Sequence, residues 1–244
     1  MSDSLVIIPT YIEKENIEKI IRKVFSLSKD FHILIIEDNS PDGTADIVRN
    51  LQSEFPEELF MEERKGKLGL GTAYLHGFKW ALARNYQYIF EMDADFSHNP
   101  EDLVRLYDTA KGGYDLVIGS RYIKGVNVVN WPMGRVLMSY FASIYVKIIL
   151  GINIQDTTAG FKCYRREVLE TINLNKVKSV GYAFQIEMKY SAIKLGFKVK
   201  EIAIIFTDRT EGISKMNKGI FKEAILGVFL MRFRKIKPAK SLLL

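Results

Sequence analysis

The 244-residue chain has a single cysteine, Cys163, so it can form no internal disulfide and is compatible with a reducing compartment. Cys163 sits in an apolar stretch and reads as a small core residue. His32, His76 and His98 lack metal-ligand spacing, which argues against a histidine-built metal centre. No Ser/His/Asp arrangement for nucleophilic catalysis stands out. No window reaches 18 uncharged apolar residues, so no transmembrane helix is predicted. The two nearest runs are residues 136–152 (VLMSYFASIYVKIILGI), broken by Lys147, and residues 220–233 (IFKEAILGVFLMRF), broken by Lys222, Glu223 and Arg232. The opening Met-Ser-Asp-Ser has no basic segment, and no secretory signal is predicted. Repeats, low-complexity tracts and long linkers are also missing.

What is present fits an ordinary globular domain, with 48% hydrophobic and 26% charged residues. One domain over residues 1–235 is expected, followed by a basic, flexible tail at 236–244. The net charge of +6 is uneven. Residues 1–195 hold 24 basic and 25 acidic side chains, and residues 196–244 hold 11 basic against 4 acidic. A basic C-terminal fifth points to an anionic partner such as a phosphorylated substrate or acidic lipid. Nucleic acid fits poorly, because no aromatic side chains interleave with the basic ones as base-stacking platforms.

Apolar runs at residues 5–8 (LVII), 31–36 (FHILII), 88–92 (YIFEM) and 116–119 read as buried strands, with a weaker strand at 59–63. Helical patterns at 13–26, 44–55, 72–84 and 100–110 fall between them. Further on, 159–164 and 198–206 read as strands, and 136–152 and 182–195 as helices. The alternation predicts an α/β fold with a mostly parallel sheet and helices on both faces. In such sheets ligands sit at the carboxyl ends of the strands. Residues 9–13, 37–43, 93–97 and 120–121 are polar clusters at four such ends.

Asp93-Ala94-Asp95 places two carboxylates where they could share one hard divalent cation, Mg²⁺ or Mn²⁺, with phosphate oxygens and water completing its shell. The alternative is a cap for the following helix. Asp38, at a strand end, can accept hydrogen bonds from a base or ribose, or form a local turn. Glu37 alternates to the other side. Tyr11 and Glu13 could line a base pocket, or Thr10 and Glu13 could form a capping box. The segment KLGLG at 67–71 has neither Walker nor dinucleotide-fingerprint spacing. Its glycines still permit close backbone approach at a helix N-terminus that favours anions. Arg121, Arg135, Arg209, Lys215 and Lys218 are candidate phosphate binders.

Together, VIIPTYIE (6–13), DNSPDGT (38–44), KLGLGTAYLHG (67–77), DADFSH (93–98), GSRY (119–122), DTTAGFKCY (156–164), GYAFQIEM (181–188) and FTDRTEGISK (206–215) resemble the dolichol/polyprenol-phosphate mannosyltransferases of glycosyltransferase family 2. The resemblance covers residues 5–230. It implies a GT-A (Rossmann-like) fold with C-terminal interfacial helices. It also implies a GDP-mannose donor and a dolichyl or other polyprenyl phosphate acceptor. By position, it implies that Pro9, Tyr11, Glu13, Ile36, Asp38 and Lys67 hold the nucleotide. Asp93, Ala94 and Asp95 would serve the ribose-diphosphate and the metal, with Ser97 beside the metal. Arg121, Arg209 and Lys215 would contact phosphates, and Arg121, Arg135, Ser139 and Arg209 the lipid phosphate. Asp95, Asp93 and Arg121 would carry catalysis. The chain departs from the family pattern with Ile12 where Asn is usual, Ala159 for a common Ser, and Glu37 for a frequent Asp.

The reaction so implied is inverting transfer of mannose, catalysed by positioning and charge stabilisation, because an acceptor phosphate needs little or no general base. The rivals are transfer of glucose or another sugar to the lipid phosphate or to a glycan, with Asp156 and Glu187 as available bases. A nucleotidyltransferase and a basic peripheral membrane-binding module are further alternatives. The expected location is cytoplasmic, peripherally attached to the cytoplasmic face of a membrane through residues 136–152 and 220–233. The alternative for both segments is that they are core helices.

Overall fold

The computed structural model describes residues 2–209 and 219–239. Lys215 and Lys218 therefore lie outside the described residues. The chain alternates β1 (Ser4–Thr10), α1 (Ile17–Phe25), β2 (His32–Glu37), α2 (Thr44–Glu54), β3 (Leu59–Glu63), α3 (Leu70–Leu82), β4 (Tyr88–Glu91), α4 (Asp102–Lys111) and β5 (Leu116–Ser120). A short β6 (Val128–Val129) and the long α5 (Met133–Leu150) follow. Next come β7 (Lys162–Arg165), α6 (Arg166–Thr171), α7 (Tyr182–Lys194), β8 (Val199–Ala203), β9 (Phe206–Thr207) and α8 (Gly219–Arg232).

Seven strands form one sheet in the order β3-β2-β1-β4-β7-β5-β8. All its pairings are parallel except those of β7, which runs antiparallel between β4 and β5. Continuous apolar runs are what a sheet covered on both faces requires. In β1, Leu5 and Ile7 face one core and Val6 and Ile8 the other. The first core takes Tyr74 and Phe78 of α3, Val146 and Leu150 of α5, and Phe184 and Met188 of α7. The second takes Ile17, Ile20, Ile21 and Val24 of α1, Val48 of α2 and Leu103 of α4. The result is a three-layer α/β/α fold, the GT-A architecture expected above.

Several boundaries differ from the sequence reading. Helix α1 starts at Ile17 rather than residue 13 because the preceding backbone is already engaged. Glu13 N–H donates to Thr44 Oγ1 (3.1 Å) and Lys14 N–H to Asp42 Oδ2 (3.1 Å). No Thr10–Glu13 capping box forms, since Thr10 Oγ1 points to Ile36 O at 3.5 Å. The strand expected at 198–206 splits, because β9 leaves the sheet to pair with β6. Residues 236–239, expected to begin a flexible tail, lie against α6. Ala239 N–H donates to Thr171 O at 2.8 Å, and Pro238 bridges Ile172. Helix α5 is 18 residues long with mean hydropathy 1.4, enough to cross a membrane by length and composition, although no such helix was expected. It packs along α8.

The loop after β1 carries strain. Ile12 has φ 56°, a left-handed conformation that a β-branched residue adopts at a cost and Asn tolerates. Its side chain is exposed, so little burial depends on it. Ile12→Asn is expected to stabilise the fold by about 1 kcal/mol. That corresponds to a rise in Tm of roughly 2–4 °C for a chain of this size, readable by thermal denaturation.

Candidate active site

The parallel strands bring the four polar clusters to one edge of the sheet. The loop between α5 and β7, containing DTTAG, reaches the same edge because β7 runs in the opposite direction. A cavity of about 390 Å³ opens there. Asp93, Asp95, Ser97, Arg121, Arg135, Ser139 and Arg209 all line it. Lys67 stands over the Tyr11 ring at 5.0 Å, so these two expected nucleotide residues meet. The Ile36 side chain is buried in the core and Pro9 is half-buried in β1, which leaves mainly backbone at those positions for a ligand.

Asp38 has a partner that sequence reading missed. Arg64 grips it with Nε at 2.5 Å from Oδ1 and Nη2 at 2.7 Å from Oδ2, and Arg64 Nη1 also donates to Thr72 Oγ1. Asp38 is thus neither a helix cap nor a local turn. Glu37, as expected, turns the other way, and it accepts bonds from the Ser40 N–H and hydroxyl. The glycine loop also differs from expectation. A Cβ at Gly71 would lie 2.8 Å from Ser179 O, and Gly71 N–H donates to Val180 O at 2.7 Å. Its glycines serve close packing against residues 179–180, and one N–H of the helix start is already used.

The two carboxylates of D-A-D are held differently. Asp95 Oδ1 accepts the Ser97 N–H (3.0 Å), and Asp95 Oδ2 meets Arg209 Nη2 at 2.8 Å. Burial opposes ionisation of Asp95, but the Ser97 bonds and the Arg209 charge outweigh it and keep its pKa below the ordinary value. Asp93 is raised to about 7 by desolvation in the cleft and then by the neighbouring Asp95 charge. Phe96, between them and the next helix, has φ 58°, a strained turn of the kind that clusters at functional sites. His98 stacks on Phe161 at 4.8 Å, and burial lowers its pKa to about 4, so the ring is neutral.

Arg209 is delivered by β-structure on both sides. β9 pairs with β6, Thr207 N–H donates to Ser97 O, and Asp208 N–H donates to Val129 O. Asp208 takes both 3.0 Å bonds from Arg135 Nη1. The Arg135 guanidinium lies 4.1 Å from the Trp131 ring centroid and that of Arg121 lies 5.5 Å from it. Ser139, one turn after Arg135 on α5, faces the same cavity.

Arg121 is committed to Asp156. Its backbone N–H (3.0 Å), Nε (2.7 Å) and Nη2 (2.6 Å) all reach the Asp156 carboxylate. Asp156 is fully buried, and its burial penalty is outweighed by the Arg121 charge and bonds, which hold its pKa below 3.8. Asp156 is therefore a structural anchor rather than an available base. Glu187 is also occupied, by the N–H groups of Lys178 and Ser179 and by Arg234.

Below the cavity lie charges that motif reading did not use. Glu91 and Lys162, opposite each other in β4 and β7, form a 3.1 Å ion pair with both side chains fully buried. Lys189 Nζ donates to Thr157 O (2.8 Å) and Ala159 O (2.7 Å). The available signal was a charge inside each of two apolar strands. Asp156→Asn is expected to cost about 3–5 kcal/mol, because it strands a buried guanidinium. A urea titration measures it. In the parent protein, the contribution of Asp156 is present above its unfolded pKa near 3.8 and fades as pH falls through the lower folded value. The variant's stability should lack that acid-side slope.

The comparisons with known proteins agree with this architecture. The glycosyl transferase family 2 model matches residues 5–172. The chain is 48% identical over 225 residues to a polyprenol monophosphomannose synthase of Mycolicibacterium smegmatis, covering 92% of this chain and 85% of that one. It is 42% identical over 224 residues to an undecaprenyl-phosphate mannosyltransferase of Micrococcus luteus, covering 92% and 91%. Among solved structures, glucosyl-3-phosphoglycerate synthase from Mycobacterium tuberculosis superposes with TM-score 0.67 at 16% identity, over 93% of this chain and 78% of that one. A mannosyltransferase from Pyrobaculum calidifontis, in complex with GDP-Man and Mn²⁺, superposes with TM-score 0.60 at 17% identity, over 97% and 66%. From sequence and fold together, the chain belongs to glycosyl transferase family 2 and is a glycosyltransferase.

Proposed function

We propose that the protein transfers mannose from GDP-mannose to a polyprenyl phosphate, with inversion at the anomeric carbon and with a divalent cation, Mg²⁺ or Mn²⁺, at the cytoplasmic face of a membrane. The names of the two bacterial relatives support the sugar and the acceptor. The archaeal structural neighbour bound to GDP-Man and Mn²⁺ supports the donor and the cation. The observation that carries the reading is the composition of the cavity. Two carboxylates, three arginines and an apolar wall from Met138, Phe141, Ala142, Tyr145 and Val146 of α5 share one space. An anionic headgroup on an apolar chain has that chemistry.

The residues suit the cation. Desolvation in the cleft, and then the neighbouring Asp95 charge, raise Asp93 to about 7, and a cation there would relieve both. Among the described residues no group of three or more His, Cys, Asp and Glu side chains is placed to hold a metal. Asp93, Asp95 and the Ser97 hydroxyl, which line one cavity, would make a hard-oxygen set that leaves room for phosphate oxygens and water. When bound, the cation neutralises charge on the departing diphosphate. Arg209 adds positive charge on the same side. Arg135 and Ser139 hold the acceptor phosphate. That phosphate is already an anion and attacks the anomeric carbon directly, so the occupied states of Asp156 and Glu187 cost the reaction nothing.

The test is transfer from GDP- and UDP-linked mannose and glucose to polyprenyl phosphate in detergent, with EDTA and metal add-back. Product from GDP-mannose, lost with EDTA and restored by Mn²⁺ or Mg²⁺, is the expected result. Transfer of glucose alone overturns the donor assignment. Asp95→Ala should lower kcat by on the order of 10²–10³ without unfolding the protein. Arg209→Ala should be far more damaging than Lys237→Ala, whose exposed side chain lies beyond α8; equal losses would mean that only overall charge matters.

Membrane attachment is expected through α5 and α8. Leu137, Phe141 and Ile148 of α5 and Leu226, Phe229 and Leu230 of α8 are exposed, far more than a soluble surface usually shows. Lys147, Arg232, Arg234 and Lys235 stand among or beside them, as expected over anionic headgroups. The protein should float with anionic liposomes, and Phe229→Glu or Leu230→Glu with high salt should release it. Failure to float at low salt, with full activity on a short soluble prenyl phosphate, would show that these faces do not bind lipid.

A further inference from the structure

The wall of the cavity contains an amide whose orientation is set by a neighbouring charge. Gln185, near the start of α7, is 2% exposed and lines the cavity. Its Oε1 accepts from the Lys162 ammonium, a group with donors only. Lys162 is fixed in turn by Glu91 at 3.1 Å, and Glu91 accepts the Tyr164 hydroxyl at 2.9 Å. The amide oxygen must therefore face the ion pair, and the NH₂ group faces Gly160. A Cβ at Gly160 would lie 3.6 Å from Gln185 Nε2 and 4.0 Å from His98 Cε1. Among the described residues Nε2 has no hydrogen-bond partner. A buried donor left unmet is costly, so one held rigidly at a ligand cavity calls for an acceptor from the ligand.

We infer that Gln185 is a specificity-determining residue for the donor sugar, with Nε2 donating to one hydroxyl of the transferred hexose. This rests on the GDP-mannose reading above. The phosphates of donor and acceptor are matched by arginines, which make stronger charge-assisted bonds. A sugar hydroxyl is uncharged, and a neutral amide suits it. The place also suits it. His98, beside Gly160, has its Nδ1 3.5 Å from the Asp93 backbone N, and Asp93, His98, Gly160 and Gln185 line the same cavity, so the amide belongs to the wall shared with the D-A-D turn that would bind the diphosphate carrying the sugar. Gly160 places no side chain beside Nε2, and the Lys162–Glu91 pair fixes the amide's orientation so that it presents a donor.

The experiment compares binding of GDP, GDP-mannose and the four monodeoxy GDP-mannoses, at fixed Mn²⁺, to the wild type and to Gln185→Met and Gly160→Ala. The second variant leaves the Gln185–Lys162–Glu91 chain intact and puts a methyl group into the space that the hydroxyl would occupy. Both variants should bind GDP within about twofold of the wild type and GDP-mannose about tenfold more weakly. One deoxy analogue, about tenfold weaker than GDP-mannose for the wild type, should lose no more in Gln185→Met. The inference is overturned if GDP and GDP-mannose weaken together, or if Gly160→Ala binds both like the wild type. It is also overturned if the wild-type ranking of the analogues survives in Gln185→Met, or if the only loss is in KM for polyprenyl phosphate, which would assign the amide to the acceptor. A wild type that binds GDP-mannose no more tightly than GDP overturns the donor reading together with this inference. Normal wild-type binding with an unchanged variant ranking overturns this inference alone.

Discussion

The loop from Gln155 to Gly160 is irregular backbone carried into the interior, and buried backbone groups must find partners. Here charged side chains supply them. Glu201 of β8 takes the N–H groups of Gln155 and Asp156, both at 2.8 Å. Lys189 of α7 takes the carbonyls of Thr157 and Ala159. Asp156 itself is paired with Arg121 at the end of β5. Three elements distant in sequence are thus tied to one loop, and that loop forms part of the cavity wall and leads into the antiparallel strand β7. Burying so many charges adds little net stability, because desolvation offsets the attraction. What it fixes is position, since removing any one group leaves a buried partner, backbone or charged, without its bond.

The same logic separates two kinds of arginine in the site. Arg121 donates three bonds to a fully buried carboxylate and stands as a fixed charge at the cavity wall. Arg209 contacts a carboxylate that itself lines the cavity, through a side chain that keeps a quarter of its surface exposed. The carboxylates divide likewise. Asp95 has the Ser97 bonds and Arg209 and is ionised, while Asp93 is raised by desolvation and then by the Asp95 charge. Two carboxylates of unequal pKa thus stand side by side in a cavity whose other charges, Arg121, Arg135 and Arg209, are positive.

The strand ends were legible because two periodicities coincide. Continuous apolar runs marked β1, β2, β4 and β5, and parallel pairing forces their carboxyl ends to one edge. That alone collects Tyr11, Asp38, Asp93, Asp95 and Arg121. Arg135 and Arg209 stood out only as candidate phosphate binders, and the family resemblance added Ser139 and the acceptor role for all three. What stayed hidden is the pairing. Arg64 reads as one more charge in EERKGK, and its bidentate hold on Asp38 depends on β2 and β3 being neighbours. Glu91 and Lys162 are each unremarkable until the antiparallel register sets them opposite. The glycines of KLGLG suggested room for an anion; their neighbours, Val180 and Ser179, lie more than a hundred residues away. Ile12 shows the converse case, a departure from the family's usual residue that was visible in sequence and becomes intelligible only as a positive φ.

The apolar faces of α5 and α8 follow from how little those helices give to the core. Only Ser143, Val146 and Leu150 of α5 are buried, although the helix spans 18 residues. Its cavity side carries Arg135, Ser139, Ala142 and Val146, so one helix is shared between the charged site and the exposed surface. Helix α8 meets it through Val228, which also lines the cavity, and Arg232 Nη1 donates to Leu150 O at 3.2 Å at the end of α5. Just past α8, Arg234 reaches both Glu187 and Lys176 O. Glu187 in turn holds the N–H groups of 178 and 179, and Val180 closes on the glycine loop that carries Lys67. The exposed apolar surface is therefore joined by named bonds to both ends of the site: through Arg135 to Asp208 next to Arg209, and through Arg234 and Glu187 to the loop beside Tyr11. One helix pair thus carries the apolar surface and part of the charged cavity wall together.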